Sequence, residues 1–254
     1  RRRACAPERR AGSCRHVSSE PRPALPAWRV ERFESLPSTQ TLMRQRLEGG
    51  EPVHGLVIRA AEQLAGRGRR ENIWASQRGG SYQTLALEDR WDGALRTPAT
   101  TLRLAVALAE ALRAAGAKAT VKWPNDVYLG EGKLLGILCE YLRRHLLVGV
   151  GVNVNNPVPP GIAALAGWDL EYVHELVLHE VHSAISDGVT GARGWLGRFA
   201  PLDHLRGRLI TVQTPRGVMT GVSQGVDEGG ALLVATHRGQ FRVEEGTVLD
   251  WRSP

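Results

Sequence analysis

Residues 117–153 read AKATVKWPNDVYLGEGKLLGILCEYLRRHLLVGVGVN, and this stretch decides the fold. It contains four short runs that are rich in valine, leucine and other residues found in strands. Gly130-Glu131-Gly132, between the second and third runs, is typical of a tight turn. The stretch therefore predicts four consecutive strands, at residues 119–123, 126–129, 134–141 and 145–152.

The clearest helix is predicted immediately before these strands. Thr97 followed by Pro98 is typical of an N-cap and a first helical residue, and Gly116 is typical of a helix end. Further upstream, Ser38 or Thr39 is an N-cap candidate for a second helix. Alternation of apolar and polar residues predicts a strand from Trp28, and short apolar runs predict strands at residues 56–60 and 81–88. Apolar residues at helical spacing predict a helix at 175–186.

From Leu205 the pattern changes to five short β runs separated by the turn sequences PRG, DEGG and HRG. Strands this short and closely spaced indicate a small barrel. Helices and meandering strands followed by an all-β unit predict the α+β class. We divide the chain into a leader at residues 1–27, a main domain at 28–203 and a small C-terminal barrel at 204–254.

The net charge of +7 is concentrated in the leader. Residues 1–27 contain seven arginines against Glu8 and Glu20, a net +5, which leaves +2 for the other 227 residues. This argues against a nucleic-acid-binding body. The leader has four prolines and no apolar period, so we expect it to be disordered, with a mitochondrial targeting segment as the alternative.

Other classes are disfavoured by composition. No run approaches the roughly 18 consecutive apolar residues that cross a bilayer, so we expect no membrane association. Cys5, Cys14 and Cys139 form an odd set without a C-x-x-C pair, which argues against disulfide and zinc frameworks. These features favour a reducing compartment, and we predict the cytoplasm.

A glycine- and arginine-rich loop, residues 63–70 (QLAGRGRR), follows the strand at 56–60. Glycine lets backbone approach a ligand closely, and guanidinium groups bind carboxylate or phosphate oxygens in pairs. The loop therefore favours an anion, although a solvated turn is an equal alternative. It matches neither the P-loop nor the dinucleotide-binding fingerprint.

Two more segments place polar groups beside strands. Lys122-Trp123-Pro124-Asn125-Asp126 follows a strand that Pro124 would end, and Asp126 can bind Mg²⁺; an ordinary Asn-Asp turn is the alternative. Lys133 is one of only three lysines in the chain, against thirty arginines. Gly149, Gly151 and Asn153 form a glycine-bearing strand where a ligand, or a bulge, would fit.

The motifs GRGRR (66–70), KWPND (122–126), KLLGIL (133–138) and GVGVN (149–153), in this order and spacing, resemble the biotin-protein ligase family. The resemblance covers about residues 30 to 251. It implies a mixed-sheet catalytic domain of the biotin/lipoate ligase type with an SH3-like C-terminal barrel. It also implies ATP-dependent activation of biotin as biotinyl-5'-AMP, then transfer of the biotinyl group to a lysine of a biotin carboxyl carrier domain.

The resemblance also implies the residue roles, with Arg69 and Lys133 as the catalytic groups. The implied biotin-binding residues are Ser38, Thr39, Gln40, Gln63, Arg67, Gly68, Arg69, Lys133, Gly136 and Leu138. The implied ATP-binding residues are Arg69, Arg70, Trp74, Asn125, Asp126, Lys133 and Asn153, with Asp126 also as the ligand of Mg²⁺. Trp74 would cover the adenine, with a core position as the alternative.

Three positions depart from the family pattern. Gln40 stands where the motif usually has asparagine, and Glu71 and Asn72 stand where many relatives have glycine and a basic residue. We expect a less positive loop that closes more slowly. The leader is too short for the winged-helix repressor module of some relatives, so we expect the monofunctional type without a DNA partner, and a homodimer is plausible from relatives.

Two other functions are open alternatives. A lipoate ligase or octanoyltransferase shares the acyl-transfer scaffold, but GRGRR together with KWPND favours the biotin family. A noncatalytic nucleic-acid or scaffold protein would use the leader and the barrel as binding surfaces. Six arginines against six acidic residues in residues 201–254 argue against that role for the barrel.

Overall fold

The computed structural model describes residues 26–90, 93–190 and 194–252. Within these ranges a large mixed sheet with helices packed on it precedes a smaller antiparallel sheet. The strands of the large sheet are β1 (Arg29–Phe33), β2 (Leu56–Ala60), β3 (Ser81–Glu88), β4 (Ala119–Lys122), β5 (Asp126–Leu129), β6 (Gly132–Leu142) and β7 (His145–Val152). The helices are α1 (Thr39–Glu48), α2 (Pro98–Ala114), α3 (Leu170–Thr190) and α4 (Trp195–Phe199). All of the predicted leader except residues 26 and 27 lies outside the described residues.

The large sheet confirms the predicted meander. Its described strands follow the order β1-β2-β3-β7-β6-β5-β4, with β1 parallel to β2 and every other pair antiparallel. The four strands predicted within residues 117–153 are β4 to β7. The register of β6 on β7 places Gly136 opposite Gly151 and Leu138 opposite Gly149. Glycines of two neighbouring strands therefore meet at one place on the sheet.

Helix α2 forms the centre of the core. Thr97 is its N-cap and Pro98 its first residue, as the sequence predicts. Its buried residues, which include Leu102 and Leu108, pack in one cluster with Val177 of α3 and with residues of the sheet. Because burial of apolar area contributes about 25 cal/mol per Å², this cluster is the main source of stability.

The small sheet contains β8 (Leu209–Thr214), β9 (Gly217–Val226), β10 (Leu232–Thr236), β11 (Gly239–Val243) and β12 (Thr247–Arg252). The five predicted β runs are confirmed as antiparallel strands in the order β11-β10-β9-β8-β12. Within residues 209–252 this order is an open series, so strand pairing does not close a barrel. Register shifts after Leu233 and Val248 mark irregularities of the bulge type, which bend strands, so the unit is consistent with a small barrel-like domain.

Two elements differ from the sequence prediction. Helix α3 begins at Leu170 rather than at residue 175, because Asp169 Oδ1 accepts a hydrogen bond from Tyr172 N at 2.7 Å and caps an earlier turn. The sequence does not predict α4, which is too short to show helical periodicity. In the part of the chain that is described, no helix combines the length and apolar character needed to cross a membrane.

Candidate active site

A cavity of about 270 Å³ opens where α1, the loop after β2 and the strands β6 and β7 meet. Thr247 and Val248 of β12 also line it, so both sheets contribute to its wall. Most residues predicted to form the site line this one cavity, namely Ser38, Thr39, Gln40, Gln63, Arg67, Gly68, Arg69, Trp74, Asn125, Asp126, Lys133, Gly136 and Leu138. Segments that are a hundred or more residues apart in sequence are thus brought together.

One end of the cavity is lined by a chain of hydrogen bonds that begins on α1. Gln63 Oε1 accepts from Thr39 N at 2.7 Å, and Gln63 Nε2 donates to Ser76 Oγ at 2.7 Å. Thr84 Oγ1 on β3 lies 2.9 Å from Thr39 Oγ1 and 3.2 Å from Gln40 Oε1. Thr39, Gln40, Ser76 and Thr84 are all buried. Because each of these groups is held by the next, the polar end of the cavity is rigid.

Ser38, which directly precedes α1, also lies at the polar end of the cavity. Its side chain accepts a hydrogen bond from Thr41 N, so Ser38 is the N-cap of α1, and it also lines the cavity. Ser38 therefore both caps the helix and forms part of the cavity wall.

The arginine-rich loop folds as a narrow ribbon over the cavity. Trp74 N donates to Gly66 O at 2.9 Å, and Gly68 N donates to Asn72 O at 2.7 Å. A Cβ on Gly66 would lie 2.4 Å from Trp74 O, so only glycine fits this close approach. The ribbon sets Arg67 and Arg69 on the cavity wall.

The glycines of β6 and β7 form a flat floor beneath Trp74. A Cβ on Gly151 would lie 2.5 Å from Trp74 Nε1, and one on Gly136 would lie 3.1 Å from the indole ring. Gly149 gives the same room to Gln40, whose Oε1 would be 2.6 Å from an added Cβ. Trp74 Nε1 is buried and has no hydrogen-bond partner among the described residues. The floor therefore accommodates the flat indole ring of Trp74.

Positive charge gathers at the other end of the cavity. Lys133 Nζ lies 2.7 Å from Asp126 Oδ1 and 5.2 Å from the centre of the Trp74 ring. Arg69 Nη1 donates to Asn125 Oδ1 at 3.3 Å, and Asn125 Nδ2 is itself fixed on a backbone carbonyl of β6. The side chains are thus held in place before any ligand binds.

Burial lowers the pKa of two cationic side chains that line the cavity, Arg69 and Lys122. It lowers the pKa of Arg69, and the neighbouring Arg70 lowers that pKa further. Burial also lowers the pKa of Lys122, although the nearby Asp126 carboxylate opposes the shift. An anion bound among these groups would favour their charged forms. The arrangement therefore suits a negatively charged ligand.

Comparison with known proteins identifies the family. The model of the Biotin/lipoate A/B protein ligase family matches residues 32–155. The biotin-[acetyl-CoA-carboxylase] ligase of Paracoccus denitrificans is 32% identical over 203 residues, which is 70% of this chain and 82% of that protein. The bifunctional ligase/repressor BirA of Bacillus subtilis is 30% identical over 231 residues, which is 80% of this chain and 68% of that protein.

This chain belongs to the biotin/lipoate A/B protein ligase family. Its fold is also similar to that of a solved biotin protein ligase from Aquifex aeolicus in complex with biotin and ATP. That match has a TM-score of 0.78 and 26% identity, and it covers 89% of this chain and 99% of the other. The resemblance read from the four motifs is therefore confirmed.

Two residues predicted for the site of this biotin/lipoate ligase family member do not line the cavity. Arg70 reaches the small sheet, where its guanidinium donates to Thr247 Oγ1 at 3.0 Å and to Glu245 Oε1 at 3.3 Å. Asn153 is buried, and its Oδ1 accepts from Asn156 Nδ2 at 3.0 Å. Their predicted contacts with ATP remain predictions.

The side chains available as metal ligands limit how a metal ion could bind in the cavity. Across the described ranges, no group of three or more His, Cys, Asp and Glu side chains is arranged to hold a metal ion. Asp126 is the one carboxylate on the wall of the cavity among the described residues. This fits Mg²⁺ that is bound mainly by the phosphates of a nucleotide, with at most one protein carboxylate.

Several residues of the site belong to no sequence motif. Thr84 on β3 and Tyr128 on β5 line the cavity, and Glu140 on β6 lies behind it, yet none belongs to a motif. Each is a polar residue within an apolar strand, which is a signal but a weak one. Their proximity depends on β3 lying next to β7, and the sequence does not reveal that order.

Proposed function

We propose that this chain is an ATP-dependent ligase that activates biotin as biotinyl-5'-AMP and transfers the biotinyl group to a lysine of a biotin carboxyl carrier domain. One observation carries the proposal: a single cavity has a rigid polar end, a glycine floor and a cationic end. A ligand with an uncharged polar ring and a carboxylate fits the two ends in that order.

The cationic end suits the first step of the reaction. A carboxylate oxygen must attack the α-phosphorus of ATP and displace pyrophosphate, so two anions must be brought together. Arg69 and Lys133 supply fixed positive charge that offsets their repulsion and stabilises the crowded phosphorus. Because Asp126 and Asn125 hold Lys133 and Arg69 in advance, little reorganisation is needed.

The loop protects the intermediate. The acyl-adenylate is a mixed anhydride that water hydrolyses, so the site must exclude water until an amine arrives. Trp74 and the arginine ribbon lie over the floor and are suited to cover the adenylate. No cysteine or serine nucleophile is needed in this scheme.

The polar end would hold the ring system of biotin. We assign Ser38, Thr39, Gln40 and Gln63 to the ureido group, and Gly136 and Leu138 to the wall of the pocket. We assign Asn125, Asp126 and Trp74 to the nucleotide. We also assign Arg70 and Asn153 to it, although neither lines the cavity. Mg²⁺ would be held by the phosphates near Asp126 and would offset their charge.

The partners follow from this activity. The acceptor is a carrier domain of a biotin-dependent carboxylase. A homodimer, the absence of a DNA partner and a cytoplasmic location remain predictions, as do the domain limits at 28–203 and 204–254.

The decisive experiment is exchange of labelled pyrophosphate into ATP. Purified protein should catalyse exchange that depends on added biotin and should show none with lipoate. Exchange that requires lipoate would assign the chain to the lipoate branch of the family. Exchange with neither acid would overturn the proposal.

A further inference from the structure

One acidic side chain beside the cavity has no part in the chemistry above. Glu140 lies on β6 two residues beyond Leu138, so the alternation of the strand puts it on the same face as Gly136 and Leu138. It does not line the cavity, and only 24% of its side chain is exposed. A carboxylate that is mostly buried requires partners to offset the loss of hydration.

Among the described residues, the Glu140 carboxylate has one hydrogen-bond partner and one ion-pair partner, and both line the cavity. Its Oε2 accepts a hydrogen bond from Gln40 Nε2 at 3.0 Å. Its Oε1 lies 3.8 Å from the Arg67 guanidinium, on the loop above. Glu140 therefore connects α1 and the arginine ribbon behind the polar end of the cavity.

The hydrogen bond fixes which way the Gln40 amide faces. An ionised carboxylate only accepts hydrogen bonds, so the NH₂ group of Gln40 must point at Glu140. The amide oxygen then lies towards Thr84 and against the bare backbone of Gly149. Without Glu140, the two orientations of the Gln40 amide would be nearly equal in energy. A ligand would then meet a mixture of hydrogen-bond donor and acceptor at this position.

We propose that Glu140 is a positioning residue that sets selectivity for the polar ring of the acid substrate, because it orients the Gln40 amide. The inference rests on the proposed function. It predicts that loss of the carboxylate weakens recognition of biotin and leaves nucleotide binding and the chemical steps unchanged.

The test is a double-mutant cycle on the KM for biotin. Glu140→Gln keeps the shape of the side chain but can donate as well as accept, so the KM for biotin should rise about tenfold, the range for a hydrogen bond to a charged group. The kcat and the KM for ATP should stay within twofold of wild type. In the Gln40→Ala background, Glu140→Gln should cause no further rise.

Glu88→Gln is the matched control, because Glu88 lies at the end of β3 in the same sheet and bonds Arg90 outside the cavity. It should behave as wild type. An unchanged KM for biotin in Glu140→Gln, or a rise that simply adds to that of Gln40→Ala, would overturn the inference while the function stands. Wild-type protein that shows no biotin-dependent exchange would instead overturn the proposed function.

Discussion

At the scale of single residues, we expect the first step of the proposed reaction to depend most on Lys133. Its ammonium is held between the Asp126 carboxylate and the face of Trp74, at the cationic end of the cavity. Lys133→Ala should slow biotin-dependent pyrophosphate exchange about 100-fold, the usual cost of removing one preorganised group from a site of developing charge. Single-turnover transfer from preformed biotinyl-5'-AMP should fall much less.

Lys118→Ala is the control for this variant, since Lys118 is an exposed lysine outside the cavity. It should leave both steps unchanged. Equal losses of exchange and transfer in Lys133→Ala would show that Lys133 does not act on the phosphate.

The sequence predicts residues that stand in motifs and misses those that stand alone. Arg69 and Lys133 could be predicted because glycines and turns surround them. Glu140 and Thr84 could not, because their role comes from neighbours on other strands. Arg70 shows the opposite case: it stands in a motif, yet it contacts the small sheet rather than the cavity.

At the scale of elements, strand β7 tests whether the glycine floor serves ligand binding or folding. An alanine in place of a strand glycine usually changes stability by about 1 kcal/mol or less. In Gly151→Ala, however, the new Cβ would meet Trp74 Nε1 at 2.5 Å and displace the indole. The KM for biotin or ATP should rise more than tenfold while the melting temperature stays near that of wild type.

Gly197→Ala is the matched control, because nothing lies within 4 Å of an added Cβ there. It should leave both KM values unchanged, and its melting temperature should at most rise slightly, because alanine is more favourable than glycine inside a helix. A Gly151→Ala protein with normal KM values would contradict the role of the floor.

The segment that connects the two sheets should make stability depend on pH. Burial raises the pKa of Asp203, ordinarily 3.8, to about 6, and its Oδ2 is buried without a hydrogen-bond partner in the described chain. Between these two values the unfolded chain loses the proton before the folded protein does. The free energy of unfolding should therefore fall as the pH rises from about 4 to about 6.

Asp203→Asn should remove this part of the pH dependence, since an amide oxygen can still accept the hydrogen bond from Leu205 N. Melting temperatures measured from pH 4 to pH 7 should decline less steeply than in wild type. Asp250→Asn, a change at an exposed residue of β12, should keep the wild-type slope. An identical slope for all three proteins would contradict the prediction.

Elements were easier to predict than their assembly. The strands of both sheets follow from alternating or short apolar runs bounded by turns, and α2 follows from its cap and its apolar stripe. The start of α3 depends on one capping aspartate, and α4 has too few residues to show a period. Local patterns thus predict an element best when it is long.

At the scale of the whole molecule, the two units share contacts that no local pattern reveals. Trp123 Nε1 donates to Gly230 O at 3.0 Å, and Lys122 Nζ lies 4.6 Å from the centre of the Trp251 ring. These pairs join the KWPND segment to the small sheet across more than a hundred residues. The sequence predicts both units, but not that the second unit completes the wall of the cavity.

The contact of Arg70 with the small sheet gives the last prediction. Arg70 has a φ of 52°, a left-handed conformation that costs most residues about 1 kcal/mol or more, so its bonds to Glu245 and Thr247 help to hold the loop in shape. Glu245→Gln should leave the melting temperature unchanged, because exposed ion pairs contribute at most about 1 kcal/mol. The freed loop should release biotinyl-5'-AMP about threefold faster, within that same energy range. Glu244→Gln is the matched control, since Glu244 is also exposed but bonds Arg242 instead. Equal release rates in Glu245→Gln and Glu244→Gln would show that the small sheet does not restrain the loop.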